Sequence, residues 1–309
     1  MQSSPISIVH DIKTCRDLWN TFSPNESFFS LWEFRKAWLD GFKYKPYFIH
    51  YDNSPAATGL LPLWYNEEDK KYEWVGGVWP EDNTFFVSSS EVLAALLKAA
   101  PAPLELCAIK SFPDMTATLS HYGTLDEDTD LKYTLALKPQ DTIESVLAGF
   151  AKKNRYRLRS SYNALMKRGA TIKWIDTKDP SYFDRFVALK GKVFDGDEKE
   201  DNYYDDPQHI KTFRNVIQNA GKYSVRILQI EVDGTVVGID IVIVYNDIFY
   251  LIGGAYDSAT VDGVGNAALY LLLEEAIKQK SRLVDCLQED SGWKHRYFTG
   301  TPLYVFEKK

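Results

Sequence analysis

Cysteine is scarce. Cys15, Cys107 and Cys286 are the three in a chain of 309 residues. So few, and an odd number, exclude a disulfide-stapled scaffold and fit reduced thiols in a cytoplasmic protein. Proline and glycine, at 13 and 18, are too few for a collagen-like or low-complexity chain. No apolar run approaches the ~20 residues that span a bilayer. Residues 1–11 hold no basic stretch followed by an apolar core, so neither a signal peptide nor membrane insertion is expected. The five histidines (His10, His50, His121, His209, His295) are scattered, with no metal-ligand spacing, and no metal is expected. G-x-x-x-x-G-K-[ST], H-E-x-x-H, C-x-x-C and G-x-S-x-G are all missing, which removes the commonest phosphate, zinc, redox and serine-hydrolase signatures. Positive charge is in deficit: 36 basic against 43 acidic residues, net −7. That argues against nucleic-acid binding by bulk charge and leaves room for a local basic patch.

What remains is a globular chain, 45% apolar and 26% charged, long enough for about two domains. Its 19 Tyr, 17 Phe and 8 Trp are core material, because large rings bury much area per residue. The second half is the clearer. Residues 223–231, 235–245 and 248–256 read as strands. Asp233-Gly234 between the first two is a hairpin signal, since both central positions of a type I′ turn need positive φ, and Asn246-Asp247 turns the chain again. Gly253-Gly254 interrupts the third strand, as at a bulge or a close backbone approach. A loop at 257–265 leads into a largely buried helix at 266–280, then a strand at 282–287, a short helical stretch at 293–298 and a last strand at 303–306.

The first half repeats this order: a helix at 28–39, strands at 46–51, 58–65 and 71–75 with a turn at Asp52-Asn53, a helix at 91–100 and a strand at 103–109. Gly41 and Gly221, Asn53 and Asp233, Cys107 and Cys286 occupy matching places, each pair about 180 residues apart, which points to a duplicated unit. The reading is α/β (α+β), with two mixed sheets flanked by helices. The domains expected are 1–140 and 171–309, joined by a basic helical linker at 141–170. The linker opens with Asp141 and Glu144 at capping-box spacing and ends at Gly169, a C-cap candidate. Lys152, Arg155 and Arg159 share one of its faces, either as a solvated surface or as an anion-binding one. The acidic stretch 195–206 reads as an exposed loop, or as a site for a cationic substrate.

Chemistry concentrates at the second half's helix start. Asp262-Gly263-Val264-Gly265-Asn266 opens directly into the helix at 266–280. Free N–H groups there, with glycines permitting close approach, favour a pyrophosphate.

At this point the chain resembles a family. The order of elements is that of the GNAT acyltransferase core, and two such cores in tandem resemble its FemAB-like branch, the CelD-like acetyltransferases in particular. The residues that carry the resemblance are FSLWEFRKAW at 29–38, GLLPL at 59–63, WVGG at 74–77 with Asp82-Asn83, KKNRYRLR at 152–159, GAYD at 254–257, Asp285, and Trp293-Lys294. It spans roughly residues 25–306. The resemblance implies a cytoplasmic N-acyltransferase that uses acyl-CoA (acetyl-CoA) as co-substrate and acts on the amine of a small molecule or amino sugar. An aminoacyl-tRNA-dependent peptidyltransferase, or a non-catalytic binding module with a decayed donor loop, are the alternatives. GNAT donor loops begin with Arg or Gln; TVDGVG at 260–265 does not, and adds Asp262.

On this reading Gly263, Gly265, Asn266, Lys294, Arg155 and Arg159 bind the donor, the last two near a cleft between the halves. Backbone N–H groups near Gly253-Gly254 receive the oxyanion. Asp285 and Glu289 are candidates for the base, and Tyr256 for the proton donor to the leaving group.

Overall fold

The computed structural model describes residues 5–110, 115–194 and 206–309. The chain forms two compact units, Met1–Leu131 with Pro302–Lys309, and Lys132–Thr301. In the first unit the chain runs β1 (Ile6–Val9), α1 (Ile12–Phe22), α2 (Trp32–Phe42), β2 (Pro46–Ser54), β3 (Ala57–Asn66), β4 (Lys71–Trp74), β5 (Phe86–Val87), α3 (Ser90–Ala99), β6 (Leu104–Ile109), α4 (Thr116–Tyr122) and β7 (Thr124–Glu127). The second unit holds β8 (Lys132–Ala136), α5 (Ile143–Ala148), α6 (Lys152–Lys167), β9 (Thr171–Asp176), α7 (Ser181–Phe194), α8 (Pro207–Gln218), β10 (Ser224–Val232), β11 (Thr235–Tyr245), β12 (Ile248–Tyr256), α9 (Val264–Lys278), β13 (Leu283–Asp285) and β14 (Thr299–Thr301). The chain ends in β15 (Tyr304–Lys308), back in the first unit.

Each unit is built on one mixed sheet. The orders are β1-β2-β3-β4-β6-β15-β7, with β5 on β3, and β14-β8-β13-β12-β11-β10-β9. Reading the second backwards makes the correspondence plain. In both, three antiparallel strands follow a helix (α2 or α8), and a second helix (α3 or α9) crosses over to a parallel strand: Tyr72 pairs with Leu104 in one, Ile248 with Leu283 in the other. The duplication read from spacing is therefore a duplication of topology.

The sequence-drawn segments do not coincide with these units. β15 completes the first unit's sheet beside β6, and β8 completes the second unit's beside β13, so each sheet is finished by a strand lying outside the expected half. Residues 141–170 are no free linker. Leu158 and Leu165 of α6 are buried, and Tyr162 stacks on Tyr270 of α9 with ring centroids 4.3 Å apart. An apolar stripe at helical spacing holds α6 to the core, and the basic residues flank it.

Three local expectations shift. The first hairpin turns at Pro55-Ala56, closed by Ser54 opposite Ala57, because proline presets the φ of a turn's second residue; Asp52 pairs with Thr58 and Asn53 is bulged. The capping box lies one residue on, between Thr142 and Ser145, and Asp141 instead accepts from Lys138 N–H and Ser145 Oγ. Of the acidic stretch, 195–205 lie outside the described residues; Asp206 caps α8 by accepting from Gln208 N–H at 2.8 Å.

The other signals held. Asp233 and Gly234 have φ of 50° and 76°, Asn246 and Asp247 49° and 57°, as type I′ turns require. The last residue of α6 is followed by Arg168 as C-cap and by Gly169 at φ 72°. β11 is buried along most of its length, as a continuous apolar run between covered faces must be. Ala267, Ala268, Leu271, Leu272 and Leu273 of α9 pack with Leu228, Ile230, Val242 and Phe249 in the second core. At roughly 1.5–3 kcal/mol for each large aliphatic or aromatic side chain, this burial fixes the sheet on which the candidate site rests.

Candidate active site

The second unit's sheet forks. β12 pairs with β13 only at Ile248, Phe249 and Tyr250, opposite Leu283, Val284 and Asp285. β12 continues to Tyr256 with no further pairing to β13, while Cys286 N–H turns away to donate to Tyr133 O of β8. The edge of β12 beyond Tyr250 is thus left without a ladder among the described residues. A bulge sits on the same stretch: the register with β11 shifts so that Gly253 faces Ile241 and Leu251 faces Val242. This is the break the Gly253-Gly254 pair foretold.

The first unit shows what fills such a fork when it is closed. Asn83 N–H donates to Ala108 O and Lys110 N–H donates to Asn83 O, both at 3.0 Å, a parallel bridge to Ile109 of β6. Arg35, 4% exposed, holds that loop by donating to Phe29 O, Val75 O and Asn83 Oδ1 at 2.7, 2.6 and 2.6 Å. Burial lowers its guanidinium to about 9. The WVGG and Asp82-Asn83 stretches singled out in the sequence belong to this plug. A separate open groove of about 670 Å³ in the same unit, lined by residues including Leu18, Phe22, His50, Asp52 and Phe86, contains none of the expected site residues.

Around the open fork, α9 begins at Gly263, in the left-handed region at φ 75°, with no side-chain cap. A Cβ on Gly263 would lie 2.7 Å from Ser161 Oγ of α6, and one on Gly265 3.3 Å from the Tyr256 ring. Both glycines are there for close approach. Asn266 follows on the first turn. The loop before them is tied at its base: Asp257, 4% exposed, accepts from Lys192 Nζ at 2.8 Å and from Thr260 Oγ1 and N–H. Those bonds, Lys192's first, hold its carboxyl down at about 2.

The expected donor-binding cations are engaged elsewhere. Arg159 bonds Glu144, and Arg155 donates to Ala148 O, both on α5. Lys294 Nζ donates to Gln288 O at 2.6 Å. Besides Lys192, Arg168 reaches the glycine loop, donating to Thr260 O at 3.2 Å.

The carboxylates also take settings other than expected. Asp285 is 1% exposed and paired with Lys132 Nζ of β8 at 2.8 Å, and its Oδ1 accepts from Leu287 N–H. This buried pair ties β13 to β8. Glu289 is exposed with φ 65°, next to Leu287 at 62°, left-handed values uncommon for such residues. At Asp290, burial pushes upward, but bonds from His295 and the Lys294, Trp293 and His295 amides outweigh it and leave about 2.

One group escaped the sequence reading. Asp240 of β11 lies opposite Gly254 and is 4% exposed. Its Oδ1 accepts from Tyr256 Oη–H, while its Oδ2 has no partner among the described residues. Burial raises Asp240 to about 7 against the opposing Tyr256 bond, and burial with Asp240's charge raises Tyr256 well above 10. The pair sits directly over Gly254, whose Cβ would be 2.4 Å from Tyr256 Oη and 2.7 Å from Asp240 Oδ1. A lone carboxylate inside the apolar run GIDIVIV at 238–244 was the available signal.

Residues 152–295 match the acetyltransferase (GNAT) domain family. No curated protein matches the chain at a significant level. Among solved structures it is similar to FemX (13% identity, 98% of this chain and 95% of that one, TM-score 0.61). It is also similar to a conserved protein of unknown function from Bacteroides thetaiotaomicron (14%, 98% and 100%, 0.58). A third is a tandem GNAT protein from the clavulanic acid biosynthesis pathway (10%, 98% and 98%, 0.57). At these identities the likeness is one of fold, and it runs the length of the chain.

Proposed function

We propose that this chain, which has a tandem GNAT-like fold and matches the acetyltransferase (GNAT) domain family over residues 152–295, is an acyltransferase whose second unit transfers an acyl group from a thioester, acyl-CoA in the first instance, to the amine of a small molecule. The observation that carries this is the fork. An extended thioester arm can lie along the unpaired edge of β12, its carbonyl oxygen received by backbone N–H groups at the Gly253-Gly254 bulge. Such donors, fixed before the reaction, stabilise a developing oxyanion without reorganisation. The phosphates then fall to the start of α9, where Gly263, Gly265 and Asn266 lie on an uncapped first turn whose N–H groups favour an anion, with Arg168 bonded to the loop before it. Lys294 and the α6 arginines Arg155 and Arg159 serve the outer part of the donor only if their present bonds yield. Tyr256, over Gly254, gives its proton to the leaving sulfur.

Holding both partners in line adds to the acceleration. The test is thiol release from acetyl-CoA and longer acyl-CoA thioesters with a panel of primary amines and amino sugars, beside a thermal-shift titration. A donor at 100 times its Kd stabilises by about 2.7 kcal/mol. Amine-dependent thiol release with a rise in melting temperature is expected. No shift and no release with any thioester leaves a binding module, the reading that the missing Arg or Gln at Thr260 favours.

A further inference from the structure

The carboxylates near the fork differ in one respect that bears on proton transfer. Asp285 and Asp257 each face a lysine, and Asp290 accepts from several donors. Asp240 has neither. It is nine-tenths buried, one oxygen takes the Tyr256 hydroxyl, and the other has no donor among the described residues. Its surroundings are apolar or uncharged: Leu228 opposite on β10, Gly254 opposite on β12, and Gly265 of α9 behind the Tyr256 ring. Cys286, beyond Tyr256, is the other titratable group acting on the pair. A carboxylate so placed gains by taking a proton, because burial penalises its charge and the single bond from Tyr256 offsets only part of that penalty.

We propose that Asp240 is the proton acceptor of the reaction, working through Tyr256 as a two-residue relay. The proposal rests on the acyl-transfer reading and deepens it. When a neutral amine attacks the thioester carbonyl, the C–N bond forms and the carbonyl π pair moves to oxygen. One amine proton passes to Tyr256 Oη as the hydroxyl proton of Tyr256 passes to Asp240 Oδ1. When the intermediate collapses, the C–S pair leaves with sulfur. Sulfur takes a proton back from Tyr256, and Asp240 returns its own. The products are an amide and a thiol, with both side chains restored. Tyr256 touches the reacting atoms. Asp240 acts behind it and is the positioning partner that sets the direction of the proton. The bare Oδ2 is part of the device, because a second donor there would hold Asp240 as an anion and leave it a poor acceptor.

The setting of Asp240, raised to about 7, matches what a base needs near neutral pH. Its sign is definite: above that value the carboxylate is free to accept, below it the relay is already protonated, so turnover rises with pH through about 7.

The test is steady-state thiol release against pH for the whole chain and for Asp240→Asn, Asp240→Glu and Tyr256→Phe. Asn keeps an oxygen for the Tyr256 hydroxyl but cannot take the proton. Expected are a fall in kcat of about 10²-fold or more with little change in KM for the thioester, loss of the limb near pH 7, partial return of that limb in Asp240→Glu, and no further fall when Asp240→Asn is combined with Tyr256→Phe. An Asp240→Asn enzyme that keeps wild-type kcat, or keeps the limb, overturns the relay while acyl transfer stands. Carboxyl ¹³C NMR of the wild-type protein decides the matter if the variants do not fold: titration of Asp240 near 7 supports the relay, and titration below 5 overturns it. Absence of thiol release from the wild type with every thioester and amine overturns the acyl-transfer reading and the relay with it.

Discussion

Gly254→Ala is the substitution that bears most directly on the packing around the fork. Gly254 is not in the left-handed region, so alanine brings no backbone strain and the whole effect is steric. Its Cβ would stand 2.4 Å from Tyr256 Oη and 2.7 Å from Asp240 Oδ1, inside contact distance for both. The Tyr256 ring has α9 at its back, and Asp240 is buried between β10 and β12. Overpacking of this kind costs about 1–3 kcal/mol, and separating a hydroxyl from a carboxylate it bonds costs about 1.5–3 kcal/mol. The two overlap, since one displacement relieves both, so about 2–4 kcal/mol is expected. For a unit of this size that corresponds to a fall of about 5–15 °C in the second unit's melting temperature. Differential scanning calorimetry reads it. Gly234→Ala is the control: φ is 76° there and nothing lies within 4 Å, so its cost is backbone strain alone, about 1 kcal/mol. A Gly254→Ala protein that melts within 2 °C of wild type, or above Gly234→Ala, refutes the packing from which the site is argued.

Lys132→Met removes the cation that faces buried Asp285 and should cost about 3–5 kcal/mol in a urea titration, most of it regained in Lys132→Met with Asp285→Leu; a cost below about 1 kcal/mol would mean the pair is not closed. Asp262 is exposed near the start of α9, where negative charge opposes a phosphate. Asp262→Asn should tighten acyl-CoA about two- to fivefold at low salt, and weaker binding by calorimetry would place the phosphates elsewhere. Stability should depend on pH in two opposite ways. Asp257 and Asp290, held at about 2, contribute above the ordinary carboxylate value of 3.8 and lose that contribution as pH falls toward 2. Asp240, raised to about 7, contributes most below 3.8, and that contribution is lost as pH rises through 7. Denaturation midpoints across pH 5–8 should therefore fall with pH in the wild type and flatten in Asp240→Asn, and an unchanged slope would contradict the placement of Asp240.

Much of this was legible in the chain itself, because local physics writes it. Asp233-Gly234 and Asn246-Asp247 fixed the hairpins of β10–β12, since only residues tolerant of positive φ make such turns. The apolar runs set the limits of β11 and β12, and the glycine pair marked the bulge. What stayed hidden depends on partners far apart in sequence. Lys132 meets Asp285, and Asn83 meets Ile109, through folding alone. The crossing of β8 and β15 into opposite sheets leaves no local trace, as a short apolar strand reads alike beside either neighbour. The arginines of α6 looked like a free anion-binding face because spacing shows which residues share a side and not that Arg159 finds Glu144 on α5. Asp240 was passed over for the opposite reason. Substrates meet water at strand ends, and a carboxylate buried in mid-strand carries no such mark in the sequence.

The two forks have one topology and opposite states, and on the proposed acyl-transfer reading that difference sets how many thioester donors the chain holds. In the first unit the chain plugs its own gap: Asn83 completes the β6 edge with two backbone bonds and is locked from behind by Arg35, whose three bonds end on Phe29, Val75 and Asn83. Asn83 Nδ2 adds bonds to Pro80 O and Cys107 O. A thioester arm entering there would have to strip all of these, at about 0.5–1.5 kcal/mol each and more for those to the guanidinium, before gaining one of its own. In the second unit the corresponding gap, between β12 and β13, has no such occupant among the described residues. Titration calorimetry with a non-hydrolysable acyl-CoA should therefore give one donor per chain. Asn83→Ala should lower the first unit's stability without adding a second site, because the backbone bridge to Ala108 and Lys110 survives the loss of the side chain. Two equivalent sites in the wild type would show that the bridge opens readily, and the choice of the second unit as the seat of chemistry would lose its basis.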